Sequence, residues 1–172
     1  MGNNRKNAID KIMDVTTAIL NNSVFILFLV MILSSFLQVI CRRIFNASLT
    51  WSEELARYCT IWMVMFTTAI AFKNRNHIGI DFFLAKLPPK GRRILEDIND
   101  IIVILVMGYF TYYSAALLLG GRSTPSPAMR IPMGFVYAGV VVGGFFSVVF
   151  ALYAFAKRVQ GYSREKAAPA AQ

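Results

Sequence analysis

The residues able to move protons, attack a substrate or hold a metal are few in this sequence. His77 is its one histidine. A haem held between histidine pairs or a histidine-rich metal cluster is therefore excluded. Cys41 and Cys59 form no Cys-x-x-Cys pair and sit near the edges of apolar runs, where they read as small hydrophobes. Two clusters of charge remain. In the first, Arg42 and Arg43 precede Glu53, Glu54 and Arg57. Glu53 and Arg57 are spaced for a helical ion pair with the acid first, the better orientation. Glu54 falls on another face and is free to meet another group, with the Arg42-Arg43 pair across a short loop as one candidate. Such a cluster knits helix ends together or meets a partner protein. General acid–base catalysis needs a sheltered, concave site, which this loop does not build.

The second cluster is Glu96, Asp97 and Asp100. Glu96 and Asp100 share a helix face, but no His or Cys joins them and Arg92 and Arg93 lie one turn before. A solvated charged face is the expectation, not a metal site. His77 reaches Asp81 only if the segment between them is helical, and a structural hydrogen bond is its plainer role. No catalytic residue, metal site or cofactor is expected, and the chain is not read as an enzyme.

The elements that position these residues follow from composition. The 172 residues are 56% hydrophobic and 16% charged, with a mean hydropathy of +0.54. Soluble domains carry about 45–50% apolar and about 25% charged residues. The net charge of +9 lies between long apolar runs instead of along one stripe. That pattern speaks for a lipid bilayer and against nucleic acid. Hydropathy predicts a single all-α membrane domain over 1–172, with four transmembrane helices at about 20–41, 51–73, 98–119 and 133–156. The first run is longer than a secretory signal core and is read as a retained helix.

Lys and Arg concentrate in three regions that share one side. These are the N-terminal tail (Arg5, Lys6, Lys11), the segment between helices two and three (Lys73, Arg75, Lys86, Lys90, Arg92, Arg93) and the C-terminal tail (Lys157, Arg158, Arg164, Lys166). The other side holds only Arg42, Arg43, Arg57, Arg122 and Arg130. Both termini are thus expected in the cytoplasm.

Thr50 to Glu53 fits a capping box that starts helix two, with Trp51 at the outer interface. Residues 78–87 are apolar with flanking cations and too short to span, which predicts a short amphipathic helix lying in the headgroup plane. Pro88-Pro89 break the chain, and helix three begins outside the bilayer near Lys90. Gly120 to Pro132 forms a rigid, non-helical outer loop. In helix four, Gly139, Gly143, Ser147 and Ala151 recur every four residues and allow another helix to approach closely. The tail over 161–172 reads as disordered.

The uncharged cores of the spans hold no Asp, Glu, Lys, Arg or His. Ion pathways and charged-substrate sites require such residues or broken helices. Gln38, Thr60, Thr67, Thr68, Thr111, Tyr112 and Ser114 supply neutral polarity, read as interhelical hydrogen bonds. An accessory subunit fits better than the alternative, a self-sufficient four-helix transporter.

Three segments resemble one family. Arg43-Ile-Phe-Asn46 with Leu49-Thr-Trp-Ser-Glu-Glu-Leu-Ala-Arg57, then His77-Ile-Gly79-Ile-Asp81 with Leu87-Pro88, then Ser123-Thr-Pro-Ser-Pro-Ala-Met-Arg-Ile-Pro132 with Gly134-Phe-Val-Tyr137 occur in order. They are similar to motifs of the small, DctQ-like membrane subunit of tripartite ATP-independent periplasmic (TRAP) transporters. Ile44 stands where that family commonly has an aromatic, and Arg130 where it usually has Gly. The resemblance implies a scaffold in the bacterial inner membrane. Its partners would be a large membrane transport subunit, which moves organic acids such as sialic acid or C4-dicarboxylates with sodium, and a periplasmic substrate-binding protein. It makes Arg42, Arg43, Trp51, Glu53, Glu54, Arg57, His77, Gly79, Asp81, Pro132 and Gly134 candidates for docking or structural roles, beside Gly139, Gly143 and Ser147 for helix packing.

Overall fold

A computed structural model describes residues 8–46, 49–74 and 89–167. They form four long helices: α1 (Ala8–Ile44), α2 (Thr50–Asn74), α3 (Pro89–Gly120) and α4 (Met133–Ala167), with a 3₁₀ turn at Gly121–Ser123. All four are long and apolar enough to cross a membrane. The expected interfacial helix over 78–87, with His77, Gly79 and Asp81, lies outside the described residues.

The helices overrun the apolar stretches at both ends. α1 begins at Ala8, not near residue 20, and its 37 residues rise about 55 Å, against about 30 Å of hydrocarbon. Hydropathy marks only the part fit for lipid, and nothing obliges a helix to stop where lipid stops. α4 likewise continues to Ala167, past Gly161 where the disordered tail is expected. α1 ends where Asn46 takes a left-handed φ of 49°, after Phe45 N–H closes a last bond of 3.0 Å to the Cys41 carbonyl. Asn tolerates that conformation at a helix terminus better than most residues.

The helices do not close into a compact bundle. α1 packs on α2, α2 on α4, and α4 on α3, giving the spatial order α1–α2–α4–α3. The two end helices bury little, and α4 buries most. The best-filled part of the core is Leu20 from α1, Phe66 and Ala69 from α2, and Phe150 from α4.

α4 holds the middle because its glycines point two ways. A Cβ at Gly139 would stand inside the Trp62 indole, and one at Gly143 would lie 2.5 Å from Met65 Cβ. Both neighbours belong to α2. Gly144 instead faces α3, where a Cβ would lie 2.5 Å from Thr111 Oγ1. Ser147 is fully buried and donates to the Gly143 carbonyl at 2.8 Å. In lipid, helices associate through close packing more than through hydrophobic burial, so small residues decide which faces meet.

Candidate functional site

The structure gathers the polar side chains at the two ends of the row. At one end the chain enters α2 through Leu49, whose carbonyl accepts from Ser52 N–H at 3.2 Å and Ser52 Oγ at 2.8 Å. Glu53 pairs with Arg57 at 3.3 Å, both side chains largely in solvent. Glu54 is buried. Of the partners open to it, the candidate Arg42-Arg43 pair is not the one it meets. Its Oε2 accepts the backbone N–H of Ala128 at 2.9 Å and of Met129 at 2.8 Å, and Tyr58 donates its hydroxyl to Oε1.

The outer loop explains why. Pro125, Pro127 and Pro132 keep it out of regular structure, and its partly buried backbone N–H groups find an acceptor outside the loop. A carboxylate provides the strongest one available. Within the loop, Ser126 N–H donates to Ile131 O at 2.8 Å and Ile131 N–H returns a bond to Ser126 Oγ at 3.2 Å. Met133 N–H reaches Thr124 O at 2.9 Å. Arg130 closes the turn with φ 54°, a left-handed conformation that favours glycine. Gly134 is buried, with the site of a Cβ 3.4 Å from the Arg122 backbone. Two motifs far apart in sequence therefore form one unit, a carboxylate on α2 gripping the loop before α4.

Glu54 is used inside this unit and Glu53 is paired. The exposed charge at this end is chiefly that of Arg42, Arg43, Arg57, Arg122 and Arg130, with Trp51 about one-third exposed at 38%.

At the other end, three ion-pair groups among the described residues join the helices. Lys73 of α2 donates to Asp14 Oδ1 and Met13 O of α1, each at 3.0 Å, and to Thr17 Oγ1 at 2.7 Å. Asp10 accepts from Tyr153 and from Lys157 at 3.4 Å, tying α1 to α4. Arg158 of α4, its side chain only 6% exposed, bonds Asp97, lies 2.9 Å from Asp100 and 3.6 Å from Glu96, all on α3. Arg92 completes the group at 2.9 Å from Glu96.

The acidic face expected to be solvated is thus the receptor for a buried arginine. Arg158, counted from sequence as a tail charge, continues the stripe Ser147, Ala151, Ala154 at helical spacing. That periodicity is the signal that could have placed it inside. A cleft of about 360 Å³ opens beside it, lined by Asp14, Lys73, Asn74, Tyr153 and Lys157 among others.

Between the ends the hydroxyls mostly turn back on their own helices. Thr68 donates to Val64 O at 2.7 Å, Thr111 to Met107 O at 2.7 Å and Ser114 to Phe110 O at 2.8 Å. The interhelical bonds expected of them are replaced by local ones, which need no partner helix. Thr60 does both, donating to Ala56 O at 2.9 Å and lying 3.3 Å from Met31 Sδ of α1.

Among the described residues, four helices long and apolar enough to cross a membrane, with their charged groups at the ends, define a multi-pass membrane protein. Residues 31–161 match the family described as tripartite ATP-independent periplasmic transporters, DctQ component. The chain is 27% identical to a TRAP transporter small permease protein of Haemophilus influenzae, over 72% of this chain and 76% of that one. It is 32% identical to the sialic acid TRAP transporter small permease protein SiaQ of Vibrio cholerae, over 64% of each. It is 30% identical to the isethionate TRAP transporter permease protein DctMQ of Oleidesulfovibrio alaskensis, over 50% of this chain but only 14% of that longer protein. The chain belongs to the DctQ family of small TRAP permease subunits, and it is an inner-membrane protein. The relatives are permease proteins, not enzymes, and their names carry different substrates.

Proposed function

We propose that this chain is the scaffold subunit of a sodium-driven, binding-protein-dependent transporter for an organic acid. The observation that carries this reading is the row α1–α2–α4–α3, whose spans hold no charge and whose charged groups pair with one another at the helix ends. Such a row offers no polar route for an anion or its coupling cation. It does offer a broad platform in the membrane plane, with both termini in the cytoplasm. A large transport subunit resting on that platform would have a fixed frame to move against. The DctMQ relative, in which a stretch similar to this chain is a small part of a longer permease, supports that partnership.

The basic outer rim serves a second contact in this reading. Arg42, Arg43 and Arg57, with Trp51 beside them, face the side from which a periplasmic substrate-binding protein arrives. Glu54 takes part indirectly, by holding the loop that carries Arg130. Sialic acid and C4-dicarboxylates are the substrates considered.

Reconstitution into proteoliposomes tests the proposal. Sodium-gradient uptake is expected only with the chain, the large subunit and loaded binding protein together. Uptake by this chain alone would overturn it.

A further inference from the structure

The outward face of α3 carries polarity that lipid cannot satisfy. α3 has one neighbour in the row, α4. Its charge-free stretch runs between Asp100 and Arg122, so the midpoint falls near Thr111. At the helical rise, Tyr109, Tyr112 and Tyr113 lie within about 3 Å of that depth. They are 66%, 73% and 51% exposed. The Tyr109 and Tyr113 rings meet at a tilt of 45° with centroids 4.5 Å apart, and Tyr112 meets Tyr113 edge-on at 5.5 Å. Among the described residues no hydrogen bond reaches the Tyr112 hydroxyl. Tyrosine favours the two membrane interfaces, where its hydroxyl meets water. At mid-depth an unsatisfied hydroxyl is costly, and acyl chains have no acceptor to give.

Beside these rings lies Gly108, where a Cβ would meet nothing within 4 Å. By contrast, Gly139, Gly143 and Gly144 are filled by neighbouring helices. Gly108 floors a depression of about 630 Å³ together with Leu105, Val106, Tyr109 and Tyr112. The outward face of α1 is mostly hydrocarbon, with Phe25, Ile26, Leu29, Ile32 and Leu33 exposed, and its exposed Ser35 can turn its short hydroxyl back on the helix carbonyls, which a tyrosine hydroxyl cannot reach.

We propose that this face of α3, centred on Gly108, receives a transmembrane helix of the large transport subunit. That helix seats over Gly108 and presents to Tyr112 a hydrogen-bond acceptor, either a backbone carbonyl or a Ser, Thr, Asn or Gln side chain. The proposal rests on the scaffold reading and names the surface through which it works. The occupant is a protein helix because the hydroxyl needs an acceptor. It is the large subunit because the DctMQ relative carries a stretch like this chain within a much longer permease, which keeps such a partner beside it in one polypeptide.

The test uses the whole complex in native membranes, with a photoreactive phenylalanine analogue at Tyr112 and, separately, at Ile32. The adduct from position 112 is expected to contain the large subunit, and that from position 32 lipid. Gly108→Leu is the second variant. Its side chain meets open space in the chain alone, so melting of the purified chain is expected to stay unchanged while recovery of the large subunit falls about tenfold or more. Tyr112→Phe is expected to weaken recovery by about threefold, the worth of one hydrogen bond. Undiminished recovery with Gly108→Leu, or adducts at 112 to lipid or to a second copy alone, would overturn this face and leave the scaffold reading standing. A wild-type chain that recovers no large subunit would overturn the scaffold reading and this face with it.

Discussion

Two residues organise the ends of the molecule. Glu54 satisfies two backbone N–H groups of a proline-rich loop that cannot satisfy them internally. Glu54→Ala should cost about 1 kcal/mol, the worth of charge-assisted hydrogen bonds to partly buried donors. Faster proteolysis within 124–132 and a lower melting temperature would report it, with Glu54→Gln milder because one acceptor oxygen remains. Arg158 is the counterpart at the other end. Arg158→Met removes the cation that joins Asp97 and Asp100 to α4 while Glu96 keeps Arg92, a loss of about 1–3 kcal/mol, less than for a fully buried pair because Asp97 is partly in solvent. Thermal unfolding in detergent would measure it, and a melting point matching wild type would show the cluster to be ornamental. Arg130 works the other way. Its left-handed φ of 54° strains any side chain, so Arg130→Gly should raise the melting temperature, by about 1 kcal/mol of relieved strain.

At the scale of elements, the four-residue stripe on α4 decides which helices are neighbours. Gly143→Leu would drive a side chain into Met65 and separate α4 from α2, at a cost of about 1–3 kcal/mol or more. Disulfide trapping between cysteines placed on α2 and α4 should lose yield in that variant. The stripe was legible in sequence because small residues at a constant helical step are a local pattern. Its target was not, since nothing in the spacing says that Trp62 and Met65 are the ridge it receives. The same holds for the helix lengths. Apolar runs show where lipid must be, while the continuation of α1 back to Ala8 depends on Lys73 reaching Asp14, Met13 and Thr17 from another helix.

For the whole molecule, the row as formed by the described residues leaves both broad faces and the outer sides of α1 and α3 uncovered. A lone protein gains little from such an arrangement, and a platform for a larger one gains area. The basic rim makes a further prediction at this scale. Reversing Arg42 and Arg43 to Glu should reduce uptake driven by the binding protein while leaving assembly with the large subunit intact. The effect should shrink as salt rises, because exposed charges are screened over about 10 Å at 0.1 M ionic strength. A deficit that persists unchanged at high salt would point to a packing fault instead.

By itself the sequence determined the membrane class, the four spans, the charged ends and the small-residue face of α4. Each is written in the order of residues along one helix, where solvation and periodicity act locally. The tertiary structure alone decided that Glu54 serves the loop at Ala128 and Met129, not the arginines close to it in sequence. It alone decided that Glu96, Asp97 and Asp100 enclose Arg158, and that α3 stands at the end of the row with its tyrosines outward. Those pairings join residues tens of positions apart, and they follow from which donors and charges need a partner beyond the one their own helix supplies.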